Sequence, residues 1–251
     1  MKALLTITPN PALDLTGHLP TLKVGSVNLM TSGHLHPAGK GLNVARVLRD
    51  LGAEVAVSGF LGAENQAPFH AICADSGLHD GFMVVPGATR INVKLVEESG
   101  EVTDLNFPGV QVSAADLATF SAHLQQQVAD VDYVVMAGSL PRGVTPADLQ
   151  TWLRDLRAAG KRVLFDSSGA ALSAGLEAGP WLIKPNEHEL AEWAGEALET
   201  EAALMAAAEA LQARYGIEHV VVSRGADGVL WRAGQSWWRA RPPRLPVVST
   251  V

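Results

Sequence analysis

The fold class follows from one stretch of the sequence, which reads Asp132-Tyr-Val-Val-Met-Ala-Gly-Ser-Leu-Pro-Arg-Gly-Val-Thr-Pro-Ala-Asp148. Residues 132–137 form an apolar run typical of a strand buried on both faces. Residues 138–141 end that strand in a turn. Residues 145–148 then supply a capping hydroxyl, a proline at the first helical position and an acid, which predicts a helix start. A buried strand followed by a turn and a helix indicates an α/β protein.

Strand-like and helix-like segments alternate along most of the chain. Residues 40–51 follow a helical period, with Val44, Val47, Leu48 and Leu51 on one face. Other segments are predicted as helices at 66–76, 113–128 and 199–215, and as strands at 2–8, 54–61, 162–165, 181–184 and 219–223. This order predicts a mostly parallel central sheet with helices on both faces. Ligands of such sheets bind outside the carboxyl ends of the strands.

Two segments, about 22–36 and 89–107, interrupt this pattern because they look β-like and lack an intervening helix. Residues 90–96 alternate strictly between polar and apolar, and residues 98–101 form a turn. We expect a small antiparallel sheet outside the main one, either as a lid over the site or as a hairpin packed on the core. The expected organisation is therefore one α/β domain over residues 1–251 that carries a β lid.

Composition excludes several classes of partner. The 251 residues carry a formal net charge of −7, which argues against nucleic acid as a general partner because phosphate backbones attract clustered Lys and Arg. Cys73 is the single cysteine, so no disulfide can form within the chain, as in a reducing cytoplasm. No apolar run approaches the ~20 residues that span a bilayer, and the N-terminus lacks the apolar length of a signal peptide. These features predict a cytoplasmic protein without a membrane partner.

The start of the first helix, Ala38-Gly-Lys-Gly-Leu-Asn43, is a candidate anion site. Small residues allow the backbone to approach a ligand, a helix N-terminus favours anions, and Lys40 adds a positive charge. Gly41 stands where a Walker A loop needs Ser or Thr, so this is not a P-loop. An ordinary loop leading into a helix is the alternative interpretation.

Three polar residues on other segments are further candidates for substrate binding. Asp14 can accept hydrogen bonds from sugar hydroxyls or stabilise its own turn. Arg90 begins the polar face of the alternating strand and can bind a phosphate with its forked donors, or remain a solvated charge. Ser139 contacts a substrate or closes the turn after its strand.

Two later segments suggest a nucleotide site. Lys184-Pro-Asn186 is followed by Glu189, and Asn186 and Glu189 share one helix face. Their oxygens suit a hydrated Mg²⁺ held with nucleotide phosphates, although a helix cap followed by first-turn acids is the favoured interpretation when this motif is taken alone. Residues 223–228 contain glycines that permit a tight turn, with or without a nucleotide beside it. The tryptophans of the last predicted hairpin, Trp231, Trp237 and Trp238, favour a hairpin core over base stacking.

The order and spacing of these motifs resemble the ribokinase-like (PfkB) sugar kinases from end to end. The resemblance rests on residues 8–14, 38–43, 138–141, 166–169, 184–189 and 223–228. Residues 90–94 and 100–109 are most similar to the bacterial branch that phosphorylates fructose 1-phosphate, and the branch acting on tagatose 6-phosphate is its neighbour. The fold implied is ribokinase-like, with a lid that often pairs with a second lid in a homodimer.

The resemblance assigns a role to each candidate. The sugar phosphate would be held by Asp14, Gly39, Lys40, Asn43, Arg90 and Ser139. The ATP site would be lined by Lys184, Asn186, Ser223, Gly225 and Gly228. Glu189 would help to organise Mg²⁺, through water. The cofactors implied are therefore ATP and Mg²⁺.

The catalytic base of the family is expected beyond Val251. In the family, Gly-Ala-Gly-Asp follows the stretch that matches residues 248–251, and its Asp accepts the proton of the attacking hydroxyl. No catalytic residue is therefore assigned within the chain, whose domain we expect to be incomplete at its C-terminal end. The expected reaction is ATP-dependent phosphorylation of fructose 1-phosphate.

Three alternatives remain to that reaction. They are a tagatose-6-phosphate or fructose-6-phosphate kinase, a catalytically inactive sugar-phosphate-binding protein, and a nicotinamide dehydrogenase. The dehydrogenase is disfavoured because the first strand is not followed by G-x-G-x-x-G.

Overall fold

The computed structural model describes residues 3–243. Its strands are β1 (Ala3–Thr8), β2 (Ala12–Leu19), β3 (Ser32–Ala38), β4 (Val55–Gly62), β5 (His79–Asp80), β6 (Met83–Val85), β7 (Arg90–Glu97), β8 (Val102–Leu105), β9 (Val131–Ala137), β10 (Arg162–Asp166), β11 (Leu182–Ile183), β12 (His219–Ser223), β13 (Val229–Ala233) and β14 (Ser236–Ala240). Its helices are α1 (Lys40–Asp50), α2 (Ala67–Ser76), α3 (Ala114–Gln127), α4 (Pro146–Ala158), α5 (Gly169–Leu176), α6 (Glu187–Ala194) and α7 (Glu201–Tyr215).

The main sheet confirms the predicted α/β fold. Its strand order is β14-β13-β12-β11-β10-β9-β1-β4-β5, and β6 also pairs with β4. All pairs from β5 to β12 are parallel, and only the terminal hairpin of β13 and β14 adds antiparallel pairs. Helices cover both faces: α1 and α2 share one apolar core with the sheet, and α3 to α7 share the other.

Reciprocal side-chain caps fix where α3 and α4 begin. Ser113 Oγ accepts a hydrogen bond from Asp116 N (3.1 Å), and Asp116 Oδ2 accepts one from Ser113 N (3.1 Å). Thr145 and Asp148 make the same reciprocal pair at α4. Each pair satisfies backbone N–H groups that have no partner inside the helix. Both helix starts were predicted from the sequence.

A second, four-stranded sheet has the order β3-β2-β7-β8. The prediction of a small second sheet is confirmed, but its content differs from the expected hairpin sheet. Residues 12–19 form β2, one of its two inner strands, which the sequence did not reveal, whereas residues 20–31 lie outside strands. Because β2 and β7 are parallel, the sheet is mixed and not antiparallel.

The hairpin of β13 and β14 does not bury its tryptophans as expected. Trp237 packs against the main core, but Trp231 is 38% exposed and Trp238 is 61% exposed. The two exposed rings lie opposite each other across the strands, with centroids 6.4 Å apart. Among the described residues, none of the helices is long and apolar enough to cross a membrane.

Candidate active site

The carboxyl ends of the parallel strands bring most predicted site residues to one edge of the main sheet. Lys40 begins α1 beside the end of β1, Ser139 follows β9, Lys184 follows β11, and Ser223 ends β12. This is where an open parallel sheet binds its ligands. Residues chosen from four separate motifs thus lie along one edge of the sheet.

The glycines at the start of α1 allow the helix to approach β1 closely. A Cβ on Gly41 would lie 2.6 Å from Thr8 Oγ1 and 2.9 Å from the carbonyl oxygen of Ile7. Gly39 has φ of +153°, and a Cβ there would lie 2.6 Å from Thr8 Cγ2. Thr8 Oγ1 in turn accepts a hydrogen bond from Leu42 N at 3.0 Å. Close packing of helix on strand therefore accounts for both glycines before any ligand is considered.

Two lysines from different motifs meet at one carboxylate. Lys40 Nζ donates to Asp166 Oδ1 at 3.1 Å, and Lys184 Nζ lies 3.3 Å from Asp166 Oδ2. The lysines are about half exposed, so their charges face solvent as well as the carboxylate. Asp166 belongs to a quoted motif but was given no role from the sequence. Its position at the carboxyl end of β10 is the signal that identifies it.

Asp14 lies at the base of the second sheet. It is nearly buried, pairs across the strands with Asn92, and accepts a hydrogen bond from Asn92 Nδ2 at 3.2 Å. A buried carboxylate with one such donor keeps acceptor capacity for other groups. This is compatible with the predicted contact to sugar hydroxyls.

Arg90, at the start of β7, binds the segment that joins the main sheet to the second sheet. Its guanidinium donates to the backbone oxygens of Asn10 (2.9 Å), Pro11 (3.3 Å) and Phe107 (3.1 Å). Burial lowers the pKa of Arg90, and the charge of Asp14 opposes that shift. Neither interpretation from the sequence foresaw this structural role, and binding of phosphate by Arg90 stays a prediction.

Asn10 ties three loops together at the same place. Its Nδ2 lies 3.2 Å from Ser139 Oγ, 3.3 Å from Leu140 O and 3.4 Å from Pro108 O. Asn10 is buried, whereas Ser139 is exposed. The hydroxyl of Ser139 is thus exposed and is held in place by its contact with Asn10. Asn43 is also exposed and lies in the first turn of α1.

A cavity of about 480 Å³ lies beside Arg90. It is lined by Ala88, Thr89, Arg90, Ile91, Val93, Phe107, Pro108, Gly109 and Arg142. Of the predicted site residues between 3 and 243, Arg90 alone lines it. Lys40, Lys184 and Asp166 do not line this cavity.

Asn186 and Glu189 form a capping box at the start of α6. Asn186 Oδ1 accepts from Glu189 N at 2.8 Å, and Glu189 Oε2 accepts from Asn186 N at 2.9 Å. The helix-cap alternative is thus realised, and a contact with metal stays a prediction. Within residues 3–243, no cluster of three or more His, Cys, Asp or Glu side chains could hold a metal ion. The second oxygen of Glu189 still fits a Mg²⁺ bound mainly by water and phosphates, which needs only one or two carboxylates.

The loop of residues 223–228 packs against the end of β11. Ser223 N donates to Pro185 O at 3.0 Å, and Arg224 N donates to Gly228 O at 2.8 Å. Gly228 has φ of +87°, and a Cβ there would collide with Ala240 O, whereas Gly225 faces open space. Hairpin packing explains Gly228, and Gly225 keeps room for a ligand.

A mostly parallel sheet with a second small sheet at its carboxyl edge is the architecture of ribokinase-like kinases. A model of the pfkB family of carbohydrate kinases matches residues 11–251, and the chain belongs to that family. The resemblance identified from the sequence is therefore confirmed, and the dehydrogenase alternative is excluded.

Curated relatives and solved structures agree with this assignment. The chain is 53% identical to a 1-phosphofructokinase of Vibrio cholerae serotype O1 over 250 residues, which cover 100% of the chain and 78% of the relative. It is 48% identical to a 1-phosphofructokinase of Escherichia coli K12, with 100% and 80% covered. The crystal structure of phosphofructokinase-2 from Escherichia coli in complex with fructose-6-phosphate superposes with a TM-score of 0.92 at 27% identity, covering 99% of this chain and 82% of that one.

Proposed function

We propose that the protein transfers the γ-phosphoryl group of ATP to the 6-hydroxyl of fructose 1-phosphate, which yields fructose 1,6-bisphosphate and ADP. The contacts of Lys40 and Lys184 with Asp166 carry this proposal, because two cations from different motifs lie together at the edge where such a sheet binds its ligands, and both proposed substrates carry phosphate. The acceptor is supported by the relatives at 53% and 48% identity, which are named 1-phosphofructokinase.

The sugar phosphate would occupy the side of the edge beside the second sheet. Asp14 would accept hydrogen bonds from sugar hydroxyls, and Lys40 would bind the phosphate at the start of α1. Gly39, Asn43 and Ser139 would complete the pocket. Arg90 would act chiefly by holding the second sheet in place, because its donors already bind three carbonyl groups.

ATP would occupy the side of the edge beside β11 and β12. The groups proposed to line it are Lys184, Asn186, Ser223, Gly225 and Gly228. Glu189 would orient the water shell of Mg²⁺, which when bound neutralises charge on the transferring phosphate. Because phosphoryl transfer depends on positioning and charge stabilisation, these contacts are the main contribution of the described residues.

In the proposed reaction, the bond from the γ-phosphorus to the ADP oxygen breaks as a bond to the 6-oxygen of the sugar forms. The hydroxyl proton passes to a base. The family resemblance assigns this base to an Asp beyond Val251, after residues 248–251 that lie outside the described residues. No residue between 3 and 243 is assigned that role.

The second sheet supports a homodimer. Leu35, Leu15, Val93 and Leu105 pair in register across its four strands and form one apolar row. The three leucines of this row are exposed. We propose that the same sheet of a second copy of the chain packs against this row. We also propose that the protein is cytoplasmic.

The test is ADP release by the full-length protein with MgATP and each of three acceptors: fructose 1-phosphate, fructose 6-phosphate and tagatose 6-phosphate. Preference for fructose 1-phosphate supports the proposal. Fructose 6-phosphate is the second candidate because the superposed Escherichia coli structure contains it. Binding of a sugar phosphate without any turnover would instead support a catalytically inactive binding protein.

A further inference from the structure

Arg224 makes contacts that the proposed reaction does not explain. It lies in the loop of residues 223–228, and its side chain is 14% exposed. Its Nε donates to Glu187 Oε1 at 3.0 Å, and its Nη1 donates to Glu201 Oε2 at 2.8 Å. Glu201 also pairs with Arg239 of β14. The guanidinium thus joins the loop to α6 and α7, and Glu201 extends the network to β14.

These contacts reach both halves of the proposed nucleotide site. Glu187 is the first residue of α6, directly after Asn186 and two positions before Glu189. Ser223 and Gly225 flank Arg224 on either side. One side chain, that of Arg224, therefore fixes the orientation of the loop relative to the start of α6.

The chemistry of the guanidinium suits this task. Its planar donors point in fixed, divergent directions, so it can bind two carboxylates at once, which a lysine ammonium on a flexible stem does less well. Removing it would leave Glu187 and Glu201 with less positive charge beside a site proposed to bind phosphates. Both a lost tether and added negative charge would weaken binding of the nucleotide.

We propose that Arg224 is a positioning residue for the nucleotide, which it does not itself contact. It holds the loop of residues 223–228 against the start of α6, so that the nucleotide meets a preformed site. This inference rests on the proposed function, because the loop and α6 are nucleotide-binding elements only within that function.

The test compares Arg224→Leu with Arg232→Leu in the full-length protein. Arg232 is a matched control because its side chain is also 14% exposed and pairs with Glu209 at 3.2 Å, but it lies on β13 and not in the loop. We expect Arg224→Leu to raise the KM for MgATP about tenfold while the KM for fructose 1-phosphate changes by less than about twofold. Arg232→Leu should change neither KM, and Arg224→Lys should be intermediate.

Binding of MgADP, measured by calorimetry without an acceptor, separates this inference from the proposed function. If the wild-type protein binds MgADP but phosphorylates no sugar, the proposed function fails, and weaker MgADP binding by Arg224→Leu still supports the positioning role. If Arg224→Leu does not fold, Arg224→Lys keeps the positive charge but loses the forked donors, and it should weaken MgADP binding in the same direction. Equal increases in both KM values, or unchanged MgADP affinity in a folded variant, would overturn the inference.

Discussion

Replacing Gly41 by alanine tests whether close packing of α1 on β1 builds the sugar-phosphate side of the site. The new methyl group would lie 2.6 Å from Thr8 Oγ1 and 2.9 Å from Ile7 O, and the second atom is backbone that cannot rotate away. The start of α1 must therefore move outward. That movement also weakens the 3.0 Å hydrogen bond from Leu42 N to Thr8 Oγ1.

The expected change in the free energy of unfolding is the sum of three contributions. Overpacking costs about 1–3 kcal/mol, and weakening the hydrogen bond costs about 0.5–1.5 kcal/mol. The better helix propensity of alanine offsets about 0.5–1 kcal/mol. The free energy of unfolding should thus fall by about 2 kcal/mol, which lowers Tm by about 4–8 °C in a protein of this size.

Activity should fall as well, because Lys40 moves with the helix start. A displacement of about 1 Å can cost up to about a hundredfold in rate, so we expect kcat/KM for the sugar phosphate to fall by between tenfold and a hundredfold. Thermal unfolding and initial rates of ADP release measure the two effects. MgADP affinity serves as an internal control and should change little.

Gly33→Ala is the matched control, since a Cβ there meets only Thr16 O at 3.7 Å, an ordinary contact. Its Tm and its kcat/KM should stay close to those of the wild type. In a Thr8→Ala background, Gly41→Ala should cost less because one of the two clashes is gone. Wild-type Tm and kcat/KM in Gly41→Ala would refute the argument from close packing.

Three further predictions concern other parts of the molecule. Asp166→Asn should lower the free energy of unfolding by only about 1 kcal/mol, because exposed ion pairs contribute little. The kcat/KM of this variant should fall more steeply with added salt than that of the wild type, because Lys40 and Lys184 lose their counter-charge. Parallel salt curves for variant and wild type would contradict this. Leu35→Glu should convert the proposed dimer to a monomer in light scattering, and an unchanged mass would exclude the second sheet as the interface. Burial raises the pKa of Cys73 to about 12, so the folded protein should resist thiol reagents at pH 8 and react only when unfolded, as mass spectrometry would show. The same shift predicts that this thiol contributes stability below about pH 9 that is lost as the pH rises toward 12; modification of the native protein would contradict its burial.

The main sheet was predictable because its signals are local. The apolar run of residues 132–137 and the cap at Thr145 each identify an element from a few neighbouring residues, and parallel order follows from their alternation. Strand β2 escaped detection because it follows Pro9 and Pro11 directly and resembles the end of a turn. Its pairing with β7, about 78 positions away in the chain, has no local signature.

The site shows the same division between local and long-range information. Lys40 begins a helix, where the sequence alone indicates a candidate anion site, and Lys184 received its role only from the family resemblance. The contacts of Arg90 with Phe107 and of Arg224 with Glu201 depend on how distant segments meet, so their structural roles became visible only in the fold. Asp166 lies between these cases, because its place at the carboxyl end of β10 was predictable from the sequence but its two lysine partners were not.

The uneven burial of the tryptophans gives the protein two separate optical probes. Trp152 is 2% exposed within the core, whereas Trp238 is 61% exposed on the terminal hairpin. A soluble quencher such as iodide will therefore reduce the fluorescence of the hairpin rings and leave that of the core ring. Since the hairpin adjoins the loop of residues 223–228, the quenched signal reports on that corner of the molecule and the protected signal on unfolding of the core.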